Sequence, residues 1–202
     1  MKDTKENFDC NHLKFYLILD IIIRFNHLQG NFLSKKNNII LIGFMGVGKG
    51  TVARALVKAT DYFAIDTDDL IESVDNRKVK KIFKEDGEAY FRSLEKKCSL
   101  WLENSVDNTI ISTGGGFFKQ ENIHKIGKIV YLESSFEGIL NRIHSAPNAK
   151  AKLKKRPLLS NLEVAKKLYN QRVDDYKKVS DITVDVENRD MEDIIKDILG
   201  KI

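Results

Sequence analysis

The chain has 202 residues, 42% of them hydrophobic, and a formal net charge of +5, which suits one globular domain with a real core. Its 34 basic and 29 acidic residues alternate through most of the sequence. This alternation, with no interleaving of basic and aromatic residues, argues against a nucleic-acid-binding protein. The two cysteines, Cys10 and Cys98, stand alone. They argue against a disulfide scaffold or a zinc site and indicate a reducing compartment.

Residues 1–37 differ from the rest of the chain and contain one strongly apolar stretch, LKFYLILDIIIRF, at residues 13–25. Asp20 interrupts this stretch, which is shorter than the roughly 20 apolar residues of a spanning helix, so we expect no stable membrane insertion. No small-residue cleavage site follows, which argues against a signal peptide. Three interpretations stay open: an extension without a catalytic role, an amphipathic helix packed on the domain or a partner, and membrane contact.

Five short apolar runs predict five strands, at residues 37–44, 62–65, 109–112, 128–133 and 181–186. The first run has the length and the β-branched residues of a buried strand. Helical patterns lie between them, including a long region from about residue 69 to 104 with a break near EDGE. Strands that alternate with helices predict an α/β fold with a parallel sheet and helices on both faces.

The segment GFMGVGKGT, residues 43–51, lies between the first predicted strand and a helical pattern. Gly43, Gly48 and Lys49 fit the P-loop pattern G-x-x-x-x-G-K-[ST], but Gly50 stands where a Mg²⁺-binding hydroxyl belongs, and Thr51 follows one residue later. Glycines let backbone N–H groups surround phosphate oxygens at a helix N-terminus, and the lysine reaches the β and γ phosphates. An ordinary glycine turn would explain neither the lysine nor the flanking elements.

Two carboxylates, Asp66 and Asp68, follow the second predicted strand. Residues two apart in an extended chain point to the same side. Near a triphosphate, one carboxylate could hold Mg²⁺ through water and the other could orient or deprotonate an attacking hydroxyl. A helix N-cap near Asp69 would explain one aspartate but not the cluster.

Glycine and arginine supply the remaining candidates. The run TGGG, residues 113–116, follows the third predicted strand and would let a small acceptor approach the backbone closely. Ligands of parallel sheets bind at the carboxyl ends of strands, where all three clusters fall. Arg92, Arg156 and Arg172 suit carboxylate or phosphate, although each arginine alone is weak support and Arg92 could form a surface pair with Glu95. The basic run at residues 150–156 lies between two prolines and predicts a loop.

The order and spacing of six segments resemble the shikimate kinases, small P-loop kinases of the nucleoside-monophosphate-kinase-like group. The resemblance covers roughly residues 38–202 and leaves residues 1–37 outside. Its segments are GFMGVGKGT, DTDDLIE, IFKEDGEAYFRSLE, STGGGFF, KRPLL and a helix that carries QR before a tyrosine. It implies a three-layer P-loop kinase fold with a five-stranded parallel sheet, helices on both faces and a mobile lid at about residues 144–158.

The same resemblance implies an activity and a set of roles. The activity is transfer of the γ-phosphoryl group of ATP to the 3-hydroxyl of shikimate, on the route to chorismate and aromatic amino acids, by a cytoplasmic monomer with Mg²⁺. Lys49, Asp68 and Arg156 would be catalytic, with Asp68 as candidate base, and Asp66 and Thr51 would serve the metal. ATP would bind at Gly46, Val47, Gly48, Lys49, Gly50, Thr51, Arg142, Arg156 and Arg189, with Arg142 and Arg189 beside the adenine. Shikimate would bind at Asp68, Arg92, Gly114, Gly115, Gly116 and Arg172.

Gly50 departs from the family pattern, in which a serine or threonine binds Mg²⁺ directly. The form G-K-G-T is similar to the P-loop of adenylate kinases, in which Mg²⁺ relies on phosphate oxygens and water. We therefore expect an active kinase with weaker Mg²⁺ binding. Two other interpretations stay open: an adenylate-type or gluconate-type kinase, and a nucleotide-binding protein without turnover. The acidic, arginine and glycine clusters favour a small carboxylated polyol over a nucleotide as acceptor.

Overall fold

The computed structural model describes residues 36–147, 149, 153 and 156–202. Residues 1–35 and six residues of the predicted lid (148, 150–152, 154 and 155) lie outside the described residues, so the expected extension and the lid remain predictions. The described chain alternates strands with helices. Its strands and α-helices are β1 (Ile39–Ile42), α1 (Lys49–Ala59), β2 (Phe63–Asp66), α2 (Thr67–Asp75), α3 (Val79–Glu85), α4 (Gly87–Ser105), β3 (Thr109–Ser112), α5 (Ile123–Ile126), β4 (Lys128–Glu133), α6 (Phe136–His144), α7 (Leu162–Val179), β5 (Ile182–Asp185) and α8 (Met191–Leu199).

The sheet has five strands in the order β2-β3-β1-β4-β5, and every neighbouring pair is parallel. All five predicted strands and the parallel arrangement are therefore confirmed. In the register, Ile40 lies opposite both Ile111 and Ile129, and Asp66 lies opposite Ser112. The carboxyl ends of β1, β2 and β3 consequently meet at one edge of the sheet.

The central strand explains why the sheet needs helices on both sides. All four residues of β1 are buried, with at most 3% of their surface exposed. Because successive side chains of a strand point to opposite faces, both faces of the sheet must be covered. The chain meets this need with β-branched and aliphatic residues, each of which contributes roughly 1.5–3 kcal/mol when fully buried.

The long helical region is divided more often than the sequence predicts. The expected break near EDGE is present, since α3 ends at Glu85 and α4 begins at Gly87. A second break separates α2 from α3, where Asn76 has a left-handed backbone with φ of 57°. Asparagine tolerates this conformation better than other side chains. Arg77 then fixes the turn through ion pairs with Asp75 and Glu85.

Across the described ranges, the helices are too short or too polar for any of them to span a membrane.

Candidate active site

Hydrogen bonds join the segment after β3 to β1 and to the start of α2, at the carboxyl ends of the strands. The hydroxyl of Thr113 donates to the carbonyl of Leu41 over 2.9 Å, linking the segment after β3 to β1. The N–H of Gly114 donates to Thr67 Oγ1 over 3.0 Å, linking the same segment to the start of α2. The glycine loop, the aspartates and the TGGG run therefore form one site, as their positions after parallel strands predict.

The loop between β1 and α1 has a backbone that only glycine adopts easily. Gly46 has φ of 90° and Gly48 has φ of 113°. A Cβ atom on Gly46 would lie 2.6 Å from Ile143 Cδ1, and one on Gly48 would lie 2.8 Å from Arg142 Nη1. Both the backbone conformation and the packing of α6 therefore require glycine here.

Lys49 begins α1 and turns its amine back into the loop. Its Nζ donates to the carbonyls of Gly43 and Phe44 over 2.7 and 3.2 Å. Burial lowers the pKa of Lys49 to about 8, although the charges of Asp68 and Asp66 oppose this effect. The positive charges of Arg156 and Arg172 lower that pKa further, so both arginines lie close enough to act on the lysine.

Gly50 and Thr51 occupy different surroundings on the first turn of α1. A Cβ atom on Gly50 would have Arg54 Nη1, at 3.6 Å, as its nearest neighbour, so a side chain fits there. Thr51 is exposed and its hydroxyl accepts from Arg54 over 3.4 Å. It lines a groove of about 770 Å³ between α1 and α8.

Asp66 caps a helix and also reaches the neighbouring strand. Its Oδ1 accepts from the N–H of Asp68 over 3.0 Å, and its Oδ2 accepts from the hydroxyl of Ser112 over 2.7 Å. The N-cap is thus Asp66, and α2 begins at Thr67 rather than near Asp69. The expected extended geometry of the two aspartates is wrong, because Asp68 already lies on the first turn of the helix. They remain close enough for the charge of Asp66 to act on Asp68.

Asp68 is the carboxylate with the most unusual surroundings. Its Oδ1 is buried and has no hydrogen-bond partner among the described residues. Burial raises the pKa of Asp68 to about 7, and the charges of Asp66 and Glu95 add to this effect while Lys49 opposes it. A carboxylate with a pKa near neutral pH is suited to accept a proton from a hydroxyl group.

The glycine strip (residues 114–116) is in contact with the predicted acceptor-binding side chains. An added Cβ atom would lie 2.6 Å from Asp68 Oδ1 at Gly114, 3.4 Å from Arg172 Nη1 at Gly115, and 2.5 Å from Arg92 Nη1 at Gly116. The run of three glycines therefore leaves these charged groups open to a ligand, a result that turn formation alone would not explain.

Arg92 lies between two carboxylates of α4. Its Nη1 pairs with Glu95 over 2.5 Å, and its Nη2 pairs with Glu88 over 2.7 Å. The ion pair between Arg92 and Glu95 that the sequence suggests is present. It is not a surface pair, because Glu95 is 0% exposed. Burial raises the pKa of Glu95, and its Oε1 has no hydrogen-bond partner in the described part of the chain.

The two arginines predicted beside the adenine differ in their contacts. Arg142 donates to the carbonyl of Val47 over 3.0 Å and to the carbonyl of Val186, and so joins the P-loop to the segment after β5. Arg189 donates to the carbonyl of Asp185 and pairs with Asp197 over 2.8 Å. Arg142 thus borders the loop directly, whereas Arg189 is tied to α8.

Comparison with known families gives this geometry its context. A model of the shikimate kinase family matches residues 45–202, which is more than half of the chain. The chain belongs to the shikimate kinase family. It is therefore a kinase, and the family that the sequence motifs indicate is confirmed.

Curated shikimate kinases match most of this family member. The enzyme of Helicobacter hepaticus is 40% identical over 143 residues, which cover 71% of this chain and 83% of that protein. The enzyme of Alkaliphilus oremlandii is 38% identical over 174 residues, which cover 82% of this chain and 98% of that protein.

Solved structures of shikimate kinases confirm the P-loop kinase fold. The structure from Acinetobacter baumannii, in complex with shikimate, has a TM-score of 0.68 and 30% identity, and the match covers 84% of this chain and 93% of that chain. The structure from Aquifex aeolicus has a TM-score of 0.65 and 34% identity, with 81% and 95% covered.

Sequence reasoning overlooked two residues of this shikimate kinase family member. The sequence indicates Glu95 only as a surface partner of Arg92, and no sequence signal shows that it is buried. The sequence marks Tyr176 only as the tyrosine that follows QR in one of the six segments, yet its hydroxyl donates to the carbonyl of Gly115. The spacing of four residues from Arg172, which places both on one helix face, was the available signal.

Proposed function

We propose that the protein transfers the γ-phosphoryl group of ATP to the 3-hydroxyl of shikimate and forms shikimate 3-phosphate for chorismate and aromatic amino-acid synthesis. The observation that carries this proposal is the position of Asp68. Its buried carboxylate, with a pKa of about 7, lies against the glycine strip and within the electrostatic reach of Lys49. The shikimate complex of the Acinetobacter baumannii relative supports the choice of acceptor.

ATP binding is assigned to the loop and to the basic groups around it. Backbone N–H groups of residues 46–51 would surround the phosphates, as a helix N-terminus favours. Lys49 would move from its loop carbonyls to the β and γ phosphates, and Arg156 would bring a further positive charge from the lid. Arg142 and Arg189 would border the adenine. Charge neutralisation of this kind supplies most of the catalysis in phosphoryl transfer.

The acceptor is assigned to the opposite side of the site. Arg92 and Arg172 would bind the carboxylate of shikimate, and residues 114–116 would meet its ring hydroxyls through the backbone. Asp68 would accept the proton of the 3-hydroxyl as that oxygen bonds to the γ-phosphorus, while the bond to the ADP oxygen breaks. Exclusion of water by a closed lid would protect the phosphoryl group from hydrolysis.

Magnesium is part of the proposal, and the donor atoms present fit it. Asp66 offers a carboxylate at the end of β2, which suits contact through bound water. The hydroxyl of Thr51 lies on the first turn of α1 and accepts from Arg54 in the groove beside α8, so it would have to turn towards the loop to serve the metal. Among the described residues no group of three or more His, Cys, Asp or Glu side chains is placed to hold a metal ion. When bound, Mg²⁺ supplies charge neutralisation at the β and γ phosphates.

Three further parts of the proposal concern organisation. Residues 38–202 form the catalytic domain and residues 1–37 an extension. The enzyme acts as a monomer in the cytoplasm, where its pathway would supply shikimate. It binds no nucleic acid, in keeping with the alternating charges of its sequence.

The deciding experiment measures ADP release with Mg-ATP in the presence of shikimate, AMP, gluconate or no acceptor. We expect release with shikimate alone. Release with AMP or gluconate instead would favour the alternative kinases. ATP binding without release for any acceptor would indicate a nucleotide-binding protein without turnover.

The pH dependence of the reaction should show a narrow optimum. With both substrates below their KM, kcat/KM should rise as pH increases through about 7, because Asp68 must lose its proton, and fall through about 8, because Lys49 must keep its own. Because Asp68 and Lys49 interact, the two apparent pKa values of the profile describe the pair and not either residue alone. Asp69→Asn, a change at an exposed neighbour, should keep both limbs. A flat profile from below pH 6 to above pH 9 would contradict the assignment.

Gly50→Ser should lower the Mg²⁺ concentration that gives half-maximal rate. The added hydroxyl would bind the ion directly, and we expect a decrease of roughly three- to tenfold, which about 1 kcal/mol produces. Gly50→Ala is the matched control, because it adds the same Cβ atom at ordinary van der Waals distance from Arg54 without an oxygen. An equal decrease in both variants, or none in Gly50→Ser, would show that the missing hydroxyl does not limit Mg²⁺ binding.

A further inference from the structure

The carbonyl of Gly115 accepts two hydrogen bonds from one helix. Arg172 Nη1 donates to it over 2.9 Å and the hydroxyl of Tyr176 donates over 2.5 Å. The two donors lie four residues apart on α7, so they occupy neighbouring positions on the same face. This carbonyl belongs to the middle residue of the glycine strip.

Tyr176 is buried in a stack of aromatic rings. It is 1% exposed. Its ring stacks on that of Tyr131, with centroids 5.3 Å apart, and meets the ring of Phe118 edge-on at 4.6 Å. Burial raises the pKa of Tyr176 to about 12. The hydroxyl therefore keeps its proton at neutral pH and acts as a donor to the carbonyl.

The two bonds fix more than the carbonyl itself. The peptide between Gly115 and Gly116 is planar and trans, like the other peptides of the described chain, so its C=O and N–H point in opposite directions. With the carbonyl turned towards α7, the N–H of Gly116 must point away from that helix. Within the described residues, neither Gly115 N–H nor Gly116 N–H donates a hydrogen bond to the protein.

Glycine makes such an anchor necessary. A glycine backbone has more conformational freedom than any other, and this freedom is lost when a ligand fixes it. A strip of three glycines without an anchor would present its N–H groups in many directions. The cost of ordering it would then weaken ligand binding. Gly114 and Gly116 are held by hydrogen bonds with Thr67, Phe117 and Lys119, and the two donors on the middle carbonyl reduce the remaining cost before the ligand arrives.

We propose that Tyr176 is a positioning residue for the acceptor: its hydroxyl holds the peptide between Gly115 and Gly116 so that the Gly116 N–H faces a hydroxyl of the bound substrate. The inference rests on the proposed function, since it requires a hydroxylated acceptor beside the strip. Tyr176 acts through the peptide and makes no contact with the reacting atoms.

Tyr176→Phe tests the inference, because it removes the hydroxyl and keeps the stacked ring. We expect KM for shikimate to rise roughly three- to tenfold, the effect of one neutral hydrogen bond, with KM for ATP unchanged. Tyr131→Phe is the matched control. It removes a buried hydroxyl from the same stack, and that hydroxyl makes no hydrogen bond to the glycine strip. Both KM values should stay at the wild-type level in this control.

The outcomes separate the inference from the function beneath it. If wild-type protein releases ADP with shikimate and Tyr176→Phe keeps its KM for shikimate, the inference is wrong and the function stands. Equal increases in both KM values, or the same increase in Tyr131→Phe, would also overturn it, because a general loss of packing would explain them. If the wild-type protein shows no shikimate-dependent ADP release, both the inference and the proposed function are wrong. KM does not depend on the amount of active enzyme, so partial unfolding does not obscure the comparison.

Discussion

Asp68→Asn should lower kcat by roughly 10²–10⁴-fold, the range that a general base contributes, with little change in KM for ATP. Asparagine has nearly the same shape as aspartate but cannot accept the proton of the acceptor hydroxyl. Steady-state ADP release with saturating substrates measures the loss. Asp69→Asn is the control, because this neighbour is exposed and has no assigned role. A variant that keeps wild-type kcat would exclude Asp68 as the base.

The same substitution should stabilise the fold at alkaline pH. The pKa of Asp68 is raised from 3.8 to about 7, so the folded state holds this proton more tightly than the unfolded state does. Stability is therefore lost as pH rises from about 4 to 7, and the full penalty persists above pH 7. Asp68→Asn should raise Tm at pH 8 by a few degrees and leave it nearly unchanged at pH 4. A lower Tm at pH 8 would mean that nearby cations stabilise the ionised carboxylate.

Lys49→Met should lower kcat/KM for ATP by at least about 10²-fold, as expected when one group that stabilises developing phosphate charge is removed. Methionine fills similar space without a charge. Lys58→Met, at an exposed lysine in the last turn of the same helix, is the matched control and should keep wild-type kcat/KM. Similar losses in both variants would point to helix destabilisation rather than lost phosphate contact.

The Lys49 variant should also change the acidic limb of the pH profile. The lysine charge lowers the pKa of Asp68, so its removal leaves the carboxylate harder to ionise. We expect the acidic limb to move above pH 7 in the residual activity of Lys49→Met. An unmoved limb would show that another group controls it.

Much of the fold follows from the sequence because its strongest signals are local. Four of the strands are short runs rich in β-branched residues, and β1 is buried over its whole length, so their type and length predict them. β2 has a single β-branched residue, Ile65, and begins with two exposed residues. The site followed from topology, since parallel strands bring the residues after Ile42, Asp66 and Ser112 to one edge. Gly46 and Gly48 likewise have the positive φ angles that a phosphate-binding loop requires.

What the sequence did not predict depends on contacts between distant segments. Glu95 follows Arg92 at the spacing of an ordinary surface pair, and its burial comes from distant segments such as the glycine strip, where a Cβ atom on Gly114 would lie 3.4 Å from Glu95 Oε1. Asp66 is both the last residue of β2 and the N-cap of α2. Neither the strand pattern nor the helix pattern of the sequence therefore predicts its double role. The hydroxyl of Tyr176 meets Gly115, 61 residues away, and an interaction over such a separation leaves no local pattern.

The guanidinium of Arg92, which we propose binds the acceptor, is already paired with two carboxylates. Glu95 is buried beneath its Nη1, whereas the side chain of Glu88 on its other edge is 67% exposed. A substrate carboxylate that binds Arg92 would therefore exchange with Glu88 instead of neutralising a bare cation. Such an exchange leaves the net charge around the Arg92 guanidinium unchanged, so the contact with Arg92 should add little to the effect of ionic strength on acceptor affinity. Discrimination among anions would then depend on how well the ring behind the carboxylate fits the glycine strip.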